Sequence, residues 1–147
     1  MAKQKFSAQI VSAGIYDGFD ANSKALPKIK SFTRHIVAEL DLEFGLIVNI
    51  KKAKGQQIHW CIEHPNLVDD EGLVMAPFEG DEYVADNDWQ FYLGDCIWAP
   101  VDNKGGDWRM TIELAGQLIV DETFDIEVDE YQVLNDDSFW LGRRRKQ

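Results

Sequence analysis

An all-β sandwich is the fold class this sequence predicts, and three observations predict it. Apolar residues recur at every second position, as in Trp108, Met110, Ile112 and Leu114 set against Arg109, Thr111 and Glu113. Such alternation buries one side of a sheet only, so a second layer must cover it. Glycine, proline and asparagine punctuate these runs at intervals that suit short strands and turns. Finally, 147 residues with 45% hydrophobic and 28% charged side chains suffice for one domain with its own core.

Phe6 to Tyr16 reads as the opening strand. Its apolar parity switches between Phe6-Ala8-Ile10 and Val11-Ala13-Ile15, which predicts a bulge near Ile10 or burial on both faces. Asp17 to Lys30, carrying Gly18, Asn22, Ser23 and Pro27, reads as a long surface loop. Phe32 to Leu42 alternates Ile36, Ala38, Leu40 and Leu42 with Val37, Glu39 and Asp41 and reads as a strand; a short helix is the competing reading there. Phe44, Leu46, Val48 and Ile50 make the next strand, and Ile58, Trp60 and Ile62 return after a turn at Lys54-Gly55. This pair is expected to be a hairpin that Pro65 stops.

Asn66 to Asp88 is acidic, with one strand expected near Leu73-Val74-Met75 or Tyr83-Val84. Trp89, Phe91 and Leu93 begin another strand, and Gly94-Asp95 is expected to turn the chain into Cys96 to Val101. Asn103 to Gly106 precedes a closing hairpin whose second arm puts Leu118, Val120, Phe124, Ile126 and Val128 on one face. The sum is an immunoglobulin-like antiparallel β-sandwich of about seven to nine strands over residues 1–128, followed by a short C-terminal extension at 129–147. In that extension Val133-Leu134 and Phe139-Trp140-Leu141 are apolar islands expected to pack back onto the sandwich.

Formal net charge is −11, yet four of the fifteen cations sit together at Arg143, Arg144, Arg145 and Lys146. The other eleven against 26 acids leave the body at −15. A body of that sign repels phosphate backbones, so nucleic acid is not an expected partner. The basic end reads as a solubilising tail. No window nears the ~18 consecutive apolar residues of a spanning helix, and the first residues lack the unbroken apolar run of a secretory signal. Two cysteines, Cys61 and Cys96, make no disulfide framework; buried free thiols are the preferred reading, with a single bridge left open. A cytoplasmic protein without a membrane partner fits these observations.

Candidate chemistry is sparse. His59, Cys61 and Glu63 share a strand face, but successive side chains about 7 Å apart cannot all reach one zinc ion. Asp86-Asn87-Asp88 and Asp102 to Asp107 offer loop oxygens for calcium, without the twelve-residue helix-flanked pattern and with Lys104 placed where a cation would sit. No nucleophile elbow or phosphate loop is present, so no catalytic residue is assigned. Five tryptophans are many for this length. An exposed Trp98 beside Tyr92 could stack on a sugar or anchor a protein.

Gly14-Ile15-Tyr16, Leu42-Glu43-Phe44-Gly45-Leu46, His64-Pro65, Gly106-Asp107-Trp108, Gly116-Gln117-Leu118 and Phe124-Asp125-Ile126 follow one another in an order that resembles the bacterial family called domain of unknown function 3859. The resemblance spans about Phe6 to Val128 and implies a small bacterial β-sandwich. It carries over no catalytic or ligand residues. Acids at Asp69-Asp70-Glu71 stand where the family pattern has small residues, and the segment after Val128 is an addition to it.

The expected function is therefore a non-enzymatic binding module. Its expected partner is a protein met through an exposed strand edge or the acidic loop end. The second expectation is a carbohydrate or small-ligand domain using Trp98 and Tyr92, helped by Asp86 and Asp88. The third is a metal-assisted enzyme on the His59 to His64 strand. No cofactor is expected.

Overall fold

The alternation closes into two stacked sheets in a computed structural model, which describes residues 6–18, 25–65 and 67–129. Among the described residues the strands are β1 (Ser7–Tyr16), β2 (Ile29–Phe32), β3 (His35–Val37), β4 (Glu43–Lys51), β5 (Gln57–Glu63), β6 (Phe78–Tyr83), β7 (Asp88–Cys96), β8 (Gly106–Leu114) and β9 (Gln117–Glu127). One sheet runs β2-β1-β4-β7 and the other β3-β9-β8-β5-β6. Neighbours are antiparallel except β3 and β9, which pair in parallel over His35–Val37. The sandwich class and its strand number are as expected. The extension beyond residue 129, with its apolar islands, Trp140 and the basic tail, lies outside the described residues.

The core sits where the inner faces of β4 and β8 meet. Phe44, Leu46, Val48 and Ile50 face Trp108, Met110, Ile112 and Leu114, all fully buried. Each such side chain contributes roughly 1.5–3 kcal/mol by leaving water. Phe44 holds the layers together, its ring edge-on to Trp108 at 5.5 Å and to Phe124 at 5.7 Å.

Two bulges set which residues face inward. In β1 the register slips between Ile10 and Ser12, so Val11 is the extra residue and both Ile10 and Ala13 face inward. That is the parity switch expected near Ile10. A second slip sets Ile112 opposite Val120 but Glu113 opposite Leu118, making Ile119 the extra residue. Leu118 consequently leaves the core face expected for it and lies 47% exposed on the outer face.

Other expectations need correction. β4 and β5 are not a hairpin: β4 pairs with β1 and β7, and β5 with β6 and β8. Their connection is an arch that carries the chain from one layer to the other, with Ala53 buried inside it and Lys52 and Gly55 at positive φ. Two strands facing each other across a core show the same alternation as two strands side by side, so the pattern could not separate these cases. Ile29 and Lys30, expected in a loop, open β2. From Phe32, which ends β2, to Leu42 the chain adds only the three-residue β3; the turn that Leu42 N closes on Glu39 O, with Asp41 at φ 67°, follows it and leaves Leu40 exposed. The strand expected near Leu73 or Tyr83 spans Phe78–Tyr83, while Val68 and Val74 form an isolated bridge. Gly94-Asp95 does not turn; β7 continues through it to Cys96. Both cysteines are free and lie in different sheets, Cys61 on β5 and Cys96 ending β7.

Candidate functional site

The two sheets end on one side in β6 and β7, joined by a second arch alongside the β4–β5 arch. Val84 bonds across to Gln56 and Gly55, and Asn87 accepts from Lys52 N at 2.8 Å, so the arches run together. Among the described residues neither edge strand has a further neighbour. The nine-residue β7 thus presents a row of outward backbone groups, closed only at its end where Cys96 N donates to Asp95 Oδ1 at 2.8 Å, and such a row is the feature that invites another strand.

Aromatic side chains fill the seam between these edges. Trp89 and Phe91 share the inner face of β7 with Leu93 and stack on each other at 5.2 Å, with 23° between their planes. Trp60 pairs with Gly80, and a Cβ there would sit 2.8 Å from the indole Cζ2. Glycine at this point therefore lets the ring lie across β6. Phe78 and Trp98 close the far end at 6.1 Å. All five rings are only half-buried; for Phe78, Trp89 and Phe91 this is because they sit on edge strands, with no strand to cover their outer side.

The same region is strongly acidic. From Pro65 to Asn103 the sequence holds ten Asp or Glu and no Lys, Arg or His. Some of these acids are already occupied. Glu79 and Asp81 bond the two nitrogens of His59 at 2.9 and 2.8 Å, and Asp88 accepts from Asn49 at 2.7 Å. Glu82 pairs with the core-facing Ile58, so it points toward the seam from the exposed edge. No ion pair reaches Glu82 or Asp86 from the described residues.

Beyond Phe78 lies a rigid cap. His64 turns its Nδ1 to the Pro65 carbonyl at 2.7 Å and its Nε2 to the Ala76 carbonyl at 2.9 Å, holding the two ends of the loop between β5 and β6. Lys104 is fully buried, its Nζ donating to Pro100 O at 2.7 Å and to Asn103 Oδ1, 4.4 Å from the Trp98 ring centroid. Burial holds its ammonium below the ordinary lysine range, with Asp102 and Asp95 acting the other way. Trp98 is thereby clamped between a cation and Trp108, whose indole meets it edge-on at 6.1 Å.

Tyr92 lies elsewhere, on the outer face of the four-stranded sheet. Gly14, Gly45 and Gly94 form a row across β1, β4 and β7. The Tyr92 ring lies over Gly94 and meets the Tyr16 ring edge-on at 5.2 Å. The Tyr92 hydroxyl donates to Glu43 Oε2 at 2.5 Å, and Ser12 and Tyr16 share a hydrogen bond of 2.7 Å. Burial pushes the Tyr92 phenol well above the ordinary tyrosine range, and the Glu43 bond pushes the same way. Burial also raises Glu43, while the Tyr92 bond opposes it.

The four residues expected to bind are thus not one cluster. Trp98 closes one end of the seam, Asp86 and Asp88 sit beyond its other end, and Tyr92 is 8% exposed beneath its own hydrogen bonds. β7 separates Asp88 from Cys96 by eight steps, about 27 Å. Sequence reasoning missed Trp60, Phe78, Trp89, Phe91 and Glu82 as a surface, because their alternation assigned the aromatics to the core. What could have found all but Trp60 is the stretch from Pro65 to Asn103, which holds them and has no Lys, Arg or His.

The other expected sites look different in place. His59, Cys61 and Glu63 do share the outer face of β5, but His59 is held by two carboxylates and Glu63 lies 3.7 Å from Arg109. Burial raises the Cys61 thiol, which disfavours a reactive thiolate. Asn87 Oδ1 and Asp88 Oδ1 bond Lys54 N and Asn49, and Asn103 Oδ1 accepts from Lys104. Among the described residues no three His, Cys, Asp or Glu assemble in an arrangement that could hold a metal. No described helix is long and apolar enough to cross a membrane.

Comparison with known proteins adds fold and family. No curated protein matches the chain. It is similar to a crystal structure of an immunoglobulin-like protein from Pseudomonas aeruginosa, at 17% identity and a TM-score of 0.67, covering 86% of this chain and 100% of that one. At that identity the likeness concerns the fold alone. A family model described as domain of unknown function matches residues 4–126, and the chain belongs to that family, DUF3859.

Proposed function

We propose that this protein is an interaction module that takes an extended, basic segment of a partner protein along the open edge of β7. The single observation behind this reading is the coincidence, on one flank, of a nine-residue edge that is unpaired among the described residues, half-exposed aromatics, and the acids Glu82 and Asp86, which no described ion pair meets. Added backbone bonds would supply affinity, and side chains entering the seam would supply selectivity. The acids repel a second copy of this −11 chain and attract lysine or arginine. A sugar is less well served, because Trp89 has one face covered by Phe91 and Trp98 is clamped.

The test titrates the protein with a short peptide alternating lysine and aromatic residues, and with its glutamate counterpart, following tryptophan emission. The lysine peptide should bind and the glutamate peptide should not. Glu82→Lys with Asp86→Lys should weaken the first by at least about tenfold. Failure of both peptides, or a preference that survives the charge reversal, overturns the proposal. A response to neutral sugars alone would replace it with the carbohydrate reading.

A further inference from the structure

The chain carries its own segment of the chemistry that this flank selects. Phe139-Trp140-Leu141 is followed after Gly142 by Arg143, Arg144, Arg145 and Lys146. We propose that this C-terminal segment docks on the β6–β7 flank of its own chain and competes there with a partner. The proposal rests on the reading of the flank given above.

Position, length and charge all favour this occupant. β9 ends at Glu127 beside the start of β8, at the end of the sandwich where Phe78 begins β6 and Trp98 follows β7. From β9 to β6 is three strand steps, about 14 Å. Residues 129–138, fully extended, span about 33 Å, so the segment reaches the seam with length to spare. Entering at the Phe78 end, it would run antiparallel to β7. With 139–141 on Phe78, the arginines fall three to five residues further on, about 10–17 Å. Glu82 lies four residues beyond Phe78, about 13 Å along the edge, with Asp86 after it. The acids without a described cation partner are thus where the basic run would arrive.

Tethering makes modest affinity sufficient. A short linker gives an effective concentration of about 1 mM, so a segment with a Kd of about 0.1 mM as a separate peptide would be about 90% docked in its own chain. A second copy offers the same segment only at its bulk concentration and brings a body of like charge.

Zero-length carbodiimide coupling of the intact chain tests this, because it joins Lys146 Nζ to a touching carboxylate as an amide with loss of water. Equal amounts of unlabelled and nitrogen-15 chains are mixed at low concentration and the products are mapped by mass spectrometry. Tail carboxylates aside, Lys146 should couple mainly to Glu82 and Asp86 within one chain. That yield should fall severalfold between about 0.05 M and about 0.5 M salt. Coupling spread over carboxylates of the far face, such as Asp121 and Glu113, overturns the proposal, and so does coupling found only between labelled and unlabelled chains. If coupling is scattered while the lysine peptide still binds the flank, the tail reading alone falls. If the peptide fails as well, both fall.

Discussion

Replacing Tyr92 with phenylalanine separates a structural tyrosine from a ligand-binding one. The hydroxyl donates to the Glu43 carboxylate at 2.5 Å on a residue that is 8% exposed. Losing a hydrogen bond to a charged group costs about 1.5–3 kcal/mol, and here it leaves a half-buried carboxylate without that donor. About 2 kcal/mol near neutral pH is expected, seen as a fall in Tm of about 4–8 °C for a domain of this size. The cost should also depend on pH in a definite direction. Burial raises Glu43 in the folded protein, and removing Tyr92 takes away the bond that opposes this rise. The variant therefore binds a proton at Glu43 more readily folded than unfolded, and regains stability as pH falls through the carboxylate range. Urea melts at about pH 7 and about pH 4 should show a smaller deficit in acid. Equal deficits, or a melting point within about 1 °C of the parent, would mean that the hydroxyl is not engaged as described.

Three further outcomes are expected. Gly45→Ala would place a Cβ 2.2 Å from the Leu93 carbonyl at a φ of 156°, so it should cost more than about 3 kcal/mol and give little folded protein by circular dichroism, whereas Gly55→Ala, with open space around it, should cost about 1 kcal/mol. Gly80→Ala should displace Trp60 toward water, lowering stability by about 1–2 kcal/mol and shifting tryptophan emission to the red; an unshifted spectrum would contradict the ring's placement. Asp81 and, to a lesser extent, Glu79 hold the His59 imidazolium above the ordinary histidine value, so its ion pairs are complete below that value and are lost as pH rises through the folded one. An NMR titration should show this raised midpoint, and Asp81→Asn should lower it.

What the sequence reveals here depends on what alternation encodes. The closing β8–β9 hairpin was readable because local signals agreed: two alternating runs flank Ala115-Gly116, and both turn residues adopt positive φ. The β1 bulge was readable because an extra residue reverses parity within one strand. The β4–β5 arch was not, since facing layers and neighbouring strands impose the same period of two. Parity likewise assigned Trp60, Trp89 and Phe91 to the core, and they do face inward. Whether an inward ring is also covered from the side depends on the strand order, which no local pattern records. The glycine row at Gly14, Gly45 and Gly94 is a case of the same kind: each glycine suggests a turn by itself, and only the cross-strand pairing shows that a Cβ would strike the Ser31 and Leu93 carbonyls at the first two and the Tyr92 ring at the third.

The two open sides of the sandwich resolve one physical problem in opposite ways. On the β2–β3 side Glu122 pairs with the core-facing Met110, which aims a carboxylate between the sheets. Arg34, from the β2–β3 connection, meets it at 2.7 Å and lays its guanidinium 5.8 Å from the Phe124 ring centroid. That side is sealed by a cation of the fold itself. On the β6–β7 side Glu82 is aimed inward by the same pairing logic, opposite Ile58, yet among the described residues no ion pair meets it. Being exposed, Glu82 keeps its hydration and costs the unbound fold little. A cation arriving with an apolar neighbour would complete on this flank what Arg34 completes on the other, and that is the physical reason for proposing a basic, aromatic segment as its occupant.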